Sequence, residues 1–109
     1  MEKTSTKLNL NELAQYQDGS VVSKALLAKK GGNITLFAFA KGEGLSEHTA
    51  PFDAFVHILD GKTEITISGK EYILNAGEMI IMPANEPHAL KAIEAFKMLL
   101  VMIKSENKG

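Results

Sequence analysis

The chain has 109 residues, 45% of them apolar, with 12 Lys and Arg against 13 Asp and Glu and a formal net charge of -1. That length suits one domain with one core, and the balanced charge provides no field to gather nucleic acid or an anionic membrane. Cysteine is absent, so no disulfide staples the chain and nothing points to an oxidising compartment.

In chain order, residues 1–7 read as a loose polar tail. They lack the apolar core that a signal peptide carries behind its charges. Asn9 to Tyr16 suits a short helical turn or a lead-in segment, closed by Asp18-Gly19. Val21 to Leu27 reads as a strand, and Lys29-Lys30-Gly31-Gly32 as the turn after it. Asn33 to Ala40 carries Ile34, Leu36, Ala38 and Ala40 on one face and Phe37 and Phe39 on the other, the pattern of a strand buried on both sides. Lys41 to Pro51 reads as a loop carrying His48. Phe52 to Leu59 and Lys62 to Ile67 flank Asp60-Gly61, a strong hairpin signal. Thr63, Ile65 and Ile67 alternate with Lys62, Glu64 and Thr66, as in a strand with one wet face. Ser68-Gly69-Lys70 turns into Glu71 to Leu74, and Asn75-Ala76-Gly77 leads to Glu78 to Met82, which Pro83 ends because it cannot donate to a ladder. His88 to Ile93 and Phe96 to Ile103 complete about eight or nine strands, with turn signals every ~8 to 12 residues. This spacing predicts an all-β, antiparallel β-barrel or jelly roll over residues 8–104, followed by a tail over 105–109. The longest apolar runs, such as Met98 to Ile103, are far too short for a membrane span, and the expected location is cytoplasmic.

Two histidines stand in frames marked by glycine and proline. Gly42, His48 and Gly61 mark the first; Gly77, Pro83 and His88 mark the second. Together they resemble the two motifs of the cupin superfamily, G-x5-H-x-H-x3,4-E-x6-G and G-x5-P-x-G-x2-H-x3-N. The resemblance implies a small single-domain conserved barrel, a double-stranded β-helix jelly roll in which three histidines and a glutamate hold a metal ion. Here His48 fills the first ligand slot and His88 the last, while Ala50 and Ala54 occupy the two slots between them. Asn85 replaces the glycine of the second motif, a mild change because Asn tolerates a left-handed backbone; Ala92 replaces its asparagine.

Ala50 lies two residues from His48 and shares its face in an extended segment. Counted back from Gly61, Ala54 stands in the motif's glutamate slot, which the resemblance implies faces inward, and Val56 and Ile58 share its face of the strand. The expected ligand pocket therefore comprises His48, His88, Ala50, Ala54, Val56 and Met82, with the two imidazoles within ~6 Å of each other. Asp53, Phe55 and His57 fall on the opposite face. A bulge or one-residue shift would turn them inward, yet Asp53 and His57 are about 13 Å apart along a strand and cannot share one metal shell. Met79, Met82, Met98 and Met102 are expected in the core with Phe37, Phe39, Phe52, Phe55 and Phe96, some of them lining the pocket. Tyr72, Glu78 and Asn85 are weaker candidates for polar contacts. Ser46 has no context for a catalytic triad, and no glycine loop precedes a helix to hold phosphate.

These readings favour a small-molecule-binding barrel with a half-degenerate metal site. The resemblance also implies an alternative: an isomerase, lyase or oxygenase using a divalent metal (Zn, Fe, Mn or Ni) on His48 and His88. The surplus of apolar strand faces predicts a homodimer, with part of residues 8–27 and the outer face of the Phe55, His57, Leu59 strand as candidate contacts.

Overall fold

A computed structural model describes residues 5–105; residues 1–4 and 106–109, in the two expected tails, lie outside the described residues. The helical turn expected near the start is α1 (Leu10–Leu13), capped by Asn9, whose side-chain oxygen accepts from the Asn11 N–H. The strands are β1 (Val21–Lys29), β2 (Gly32–Phe39), β3 (Gly44–His48), β4 (Phe52–Asp60), β5 (Lys62–Ile67), β6 (Lys70–Asn75), β7 (Met79–Met82), β8 (His88–Ala92) and β9 (Phe96–Lys104). They form two antiparallel sheets, ordered β1-β2-β9-β4-β7 and β3-β8-β5-β6, that face one another as a jelly roll. None of the described helices is long and apolar enough to cross a membrane.

Local chemistry explains most of the turns. β5 and β6 join through Ser68 and Gly69, whose φ angles of 49° and 83° are the positive pair that a two-residue hairpin needs. Asp60-Gly61 behaves differently from the expected hairpin. β4 pairs with β7 and β9, whereas β5 pairs with β6 and β8, so this turn is a corner between opposite sheets. Gly61 has φ of 83°, and a Cβ there would sit 1.9 Å from the Ala95 carbonyl oxygen. The dipeptide signals a sharp turn with positive φ; pairing is decided by which face of each strand must be buried.

The core lies between the sheets. Along β4 the alternation buries Ala54, Val56 and Ile58. Phe39 of β2 stacks on Phe96 of β9 with ring centroids 4.5 Å apart, and Ile65 and Met98 are sealed beside them. β2 is apolar on both faces for a second reason: Leu36 and Ala38 pack outward under Ala14, with Leu13 and Leu59 around them. A polar strap holds that N-terminal segment. The Lys97 ammonium, on a side chain only 7% exposed, donates to the Asn11 carbonyl and lies 5.1 Å from the Tyr16 ring centre. The Tyr16 hydroxyl donates to the Asp60 carboxylate, and burial together with that carboxylate pushes its pKa well above the usual phenol value.

The strap leaves part of the outer face bare. Met79, expected in the core, is 46% exposed. It pairs with His57 in the register, and Ile81 with Phe55, so both side chains share the outward face of β4. Glycine-led entry into β7 put this methionine on the outward phase of the pleat, which apolar character alone does not reveal.

Candidate functional site

A cavity of about 210 Å³ opens between the two sheets, lined by His48, His88, Ala50, Ala54 and Met82 together with Phe37, Leu45, Phe52, Met98, Met102 and neighbouring leucines. Val56, expected among the lining residues, is not one of them. It points the same way as Ala54 but lies one pleat further along β4, fully buried between its cross-strand neighbours Ile80 and Leu100. Those side chains fill the space at that level.

His48 reaches the cavity through an irregularity. The segment expected as a loop is strand β3, paired with β8 at Leu45↔Leu90 and again at His48↔His88. Three residues of advance on β3 match two on β8, so one extra residue is accommodated as a bulge. In a regular strand Leu45 and His48 would point to opposite faces; the bulge turns both toward the cavity, as bulges beside binding sites often do. His88 begins β8 immediately after Pro87 and also pairs with Ile67. The turn before it is held firmly. Asn85 adopts φ of 66° and donates from its N–H to the Ala50 carbonyl, and the Ala84 N–H donates to Asp53 Oδ1.

The two imidazole centres lie 4.4 Å apart with the rings at 66°. His88 is 8% exposed, while His48 stands exposed at the mouth. Each ring is oriented in the same way: Nδ1 of His48 is 2.8 Å from the Ser46 carbonyl oxygen, and Nδ1 of His88 is 3.2 Å from that of Glu86. Burial lowers the pKa of His88; the bond to Glu86 opposes this, and nearby His48 adds to the lowering.

Residues considered as rescuers of a metal site lie elsewhere. Asp53 holds the Ala84 turn, and His57 packs on the outer face 6.2 Å from the Phe55 ring centre. Tyr72 and Glu78 border an open groove between the edge strands β6 and β7, and Glu78 Oε1 accepts from the Asn75 N–H. Phe37, Phe52, Met98 and Met102, from the set expected to line the pocket in part, do line the cavity, whereas Leu45, Leu90 and Leu100 were not named from sequence. Their strand alternation contained the signal for all but Leu45, whose strand is interrupted by the bulge.

The donors present do not fit the metal centre implied by the motif resemblance. Ala50 and Ala54 supply methyls in place of an imidazole and a carboxylate, and among the described residues no three His, Cys, Asp or Glu side chains converge. Two neutral imidazoles are half of a four-coordinate shell and carry no compensating charge.

Comparison with known proteins addresses the fold and family. The chain is similar to a conserved protein of unknown function from Streptococcus pyogenes, with 39% identity, TM-score 0.90 and coverage of 96% of this chain and 92% of that one. A Cupin 2 conserved barrel domain protein from Leptotrichia buccalis is 46% identical with TM-score 0.87; 89% of this chain matches 47% of that longer one, so this chain spans about half its length. A cupin superfamily protein from Desulfitobacterium hafniense is 30% identical with TM-score 0.88, over 94% of each chain. Comparison with curated proteins gives no match. The family profile described as the Cupin domain matches residues 35–104, most of the two sheets, and with these relatives it establishes that the chain belongs to the cupin superfamily.

Proposed function

We propose that the chain is a small-molecule-binding cupin barrel whose ligand lies between the sheets, with His88 and His48 as its polar anchors. One observation carries this reading: two histidines forty residues apart in sequence meet 4.4 Å apart on a cavity otherwise lined by apolar side chains. Ligand sites commonly combine an apolar wall with a few convergent polar groups. A cavity of this size forgoes packing contacts between the sheets that would add stability, which a barrel serving only as a scaffold has no reason to forgo.

The test is to titrate ring-sized apolar fragments into methionine-methyl-labelled protein and follow the spectra. Resonances of Met82, Met98 and Met102 should shift, while exposed Met79 should not. Shifts confined to Met79, or none with any fragment, would overturn the reading.

In the same proposal a second copy of the chain covers the bare outer face of the five-stranded sheet. Phe55, Met79, Ile81 and Ile103 lie there beside His57, and in a two-fold dimer the same face serves both copies. Leu13, Leu26 and Leu59 pack against the Ala14, Leu36 and Ala38 cluster within the chain, so this proposal leaves them out of the dimer contact.

A further inference from the structure

We infer that the pocket takes a compact neutral molecule of about one ring that carries a hydroxyl or N–H donor, a phenol-like ligand in place of a carboxylate. This rests on the pocket reading above and adds a chemical class. The inference comes from the hydrogen bonds on the far side of the two histidines. A carbonyl oxygen only accepts, so the contacts of His48 Nδ1 with the Ser46 oxygen and of His88 Nδ1 with the Glu86 oxygen place the ring hydrogen on Nδ1 in both neutral imidazoles. Both Nε2 atoms then carry lone pairs, and no hydrogen bond from the described residues reaches either of them. The other lining side chains are Phe, Leu, Ala and Met, none of which is a conventional donor. The polarity that the side chains offer the cavity is therefore acceptor-only.

Such a site selects by complementarity. A hydroxyl or N–H donor satisfies the lone pair of an imidazole set among apolar side chains, His88 being 8% exposed. A carboxylate brings only acceptors and a charge that the apolar wall cannot solvate. Size adds a second filter. An engineered cavity of about 150 Å³ in another protein holds benzene, so about 210 Å³ here admits one ring with a small substituent or two. The methyls of Ala50 and Ala54 leave the room in which that ring lies, and methionine side chains adapt to its outline.

Phenol, toluene and benzoate titrated separately into chelator-treated protein decide the matter, read by the Met82, Met98 and Met102 methyls and by the His48 and His88 ring nitrogens. Phenol should bind about tenfold more tightly than toluene, the value of one net hydrogen bond, moving a histidine Nε2 resonance, and benzoate should bind most weakly. His48→Ala, at the exposed mouth where folding is least at stake, should narrow the phenol-to-toluene ratio. Toluene binding as tightly as phenol, or benzoate binding tightest, would overturn the donor rule while leaving a pocket that binds rings. Failure of all three to shift the methyls would overturn the pocket and the donor rule together.

Discussion

His88 is where burial and chemistry conflict most directly in this barrel. A base whose folded-state pKa is lowered binds its proton less readily than the unfolded chain does. Stability from keeping His88 neutral is therefore present above the ordinary value of 6.5 and is lost as pH falls through that value toward the lower folded one. Thermal melts from about pH 7.5 down to about pH 5.5 should show a falling midpoint, and His88→Gln should flatten that dependence; an equal slope in both proteins would show that other groups are responsible. Tyr16 provides a second residue-scale test. Removing its hydroxyl in Tyr16→Phe leaves the Asp60 carboxylate without its donor, and because the pair is partly exposed the expected cost is about 1 kcal/mol in urea unfolding.

At the scale of elements, period and irregularity play different parts. β4 follows the two-residue period from Phe52 to Ile58, before its register against β9 shifts between Ile58 and Asp60, so Ala54, Val56 and Ile58 face in and Phe55 and His57 face out, as the motif resemblance implies. β3 breaks the period with a bulge, and without it Glu47 would stand opposite His88. The Asp60-Gly61 corner is another such place. Any side chain at Gly61 meets the Ala95 and Phe96 backbone, neither of which is a flexible side-chain end, and must also adopt φ of 83°. Gly61→Ala is expected to lose more than about 2 kcal/mol, whereas Gly69→Ala, with the same φ and open space around it, should lose only the backbone part, about 1 kcal/mol. Equal losses in denaturant titrations would remove the steric argument.

Among the described residues, the two sheets enclose the histidine-lined cavity and leave an apolar patch of the five-stranded sheet bare. Ile103 at 61% exposure, Ile81 at 49% and Met79 at 46% are costly to leave in water. Sedimentation equilibrium at micromolar concentration should report twice the 11.8 kDa chain mass, and Ile81→Lys should return it to the monomer; a wild-type monomer would count against the dimer. Metal content separates binding protein from metalloenzyme. With two imidazoles and two alanines at the motif positions, protein purified without added ions should hold far less than one metal per chain, and a chelator should leave its melting midpoint unchanged. Near-stoichiometric metal would favour the enzyme alternative.

The sequence by itself determined the fold class, because turn residues punctuate short apolar strands and because glycine and proline must occupy positions of restricted backbone geometry. The motif resemblance grouped His48, His88, Ala50 and Ala54, and these line the cavity together with Met82. Tertiary structure decided the rest. Pairing of β4 away from β5, the depth at which Val56 is sealed, the outward phase of Met79 and the bulge that aims His48 all depend on which surfaces of distant strands compete for burial. The proximity of the two imidazoles was expected from the motif resemblance, but the means of it was not: across forty residues of chain, the register of β3 against β8 closes the distance.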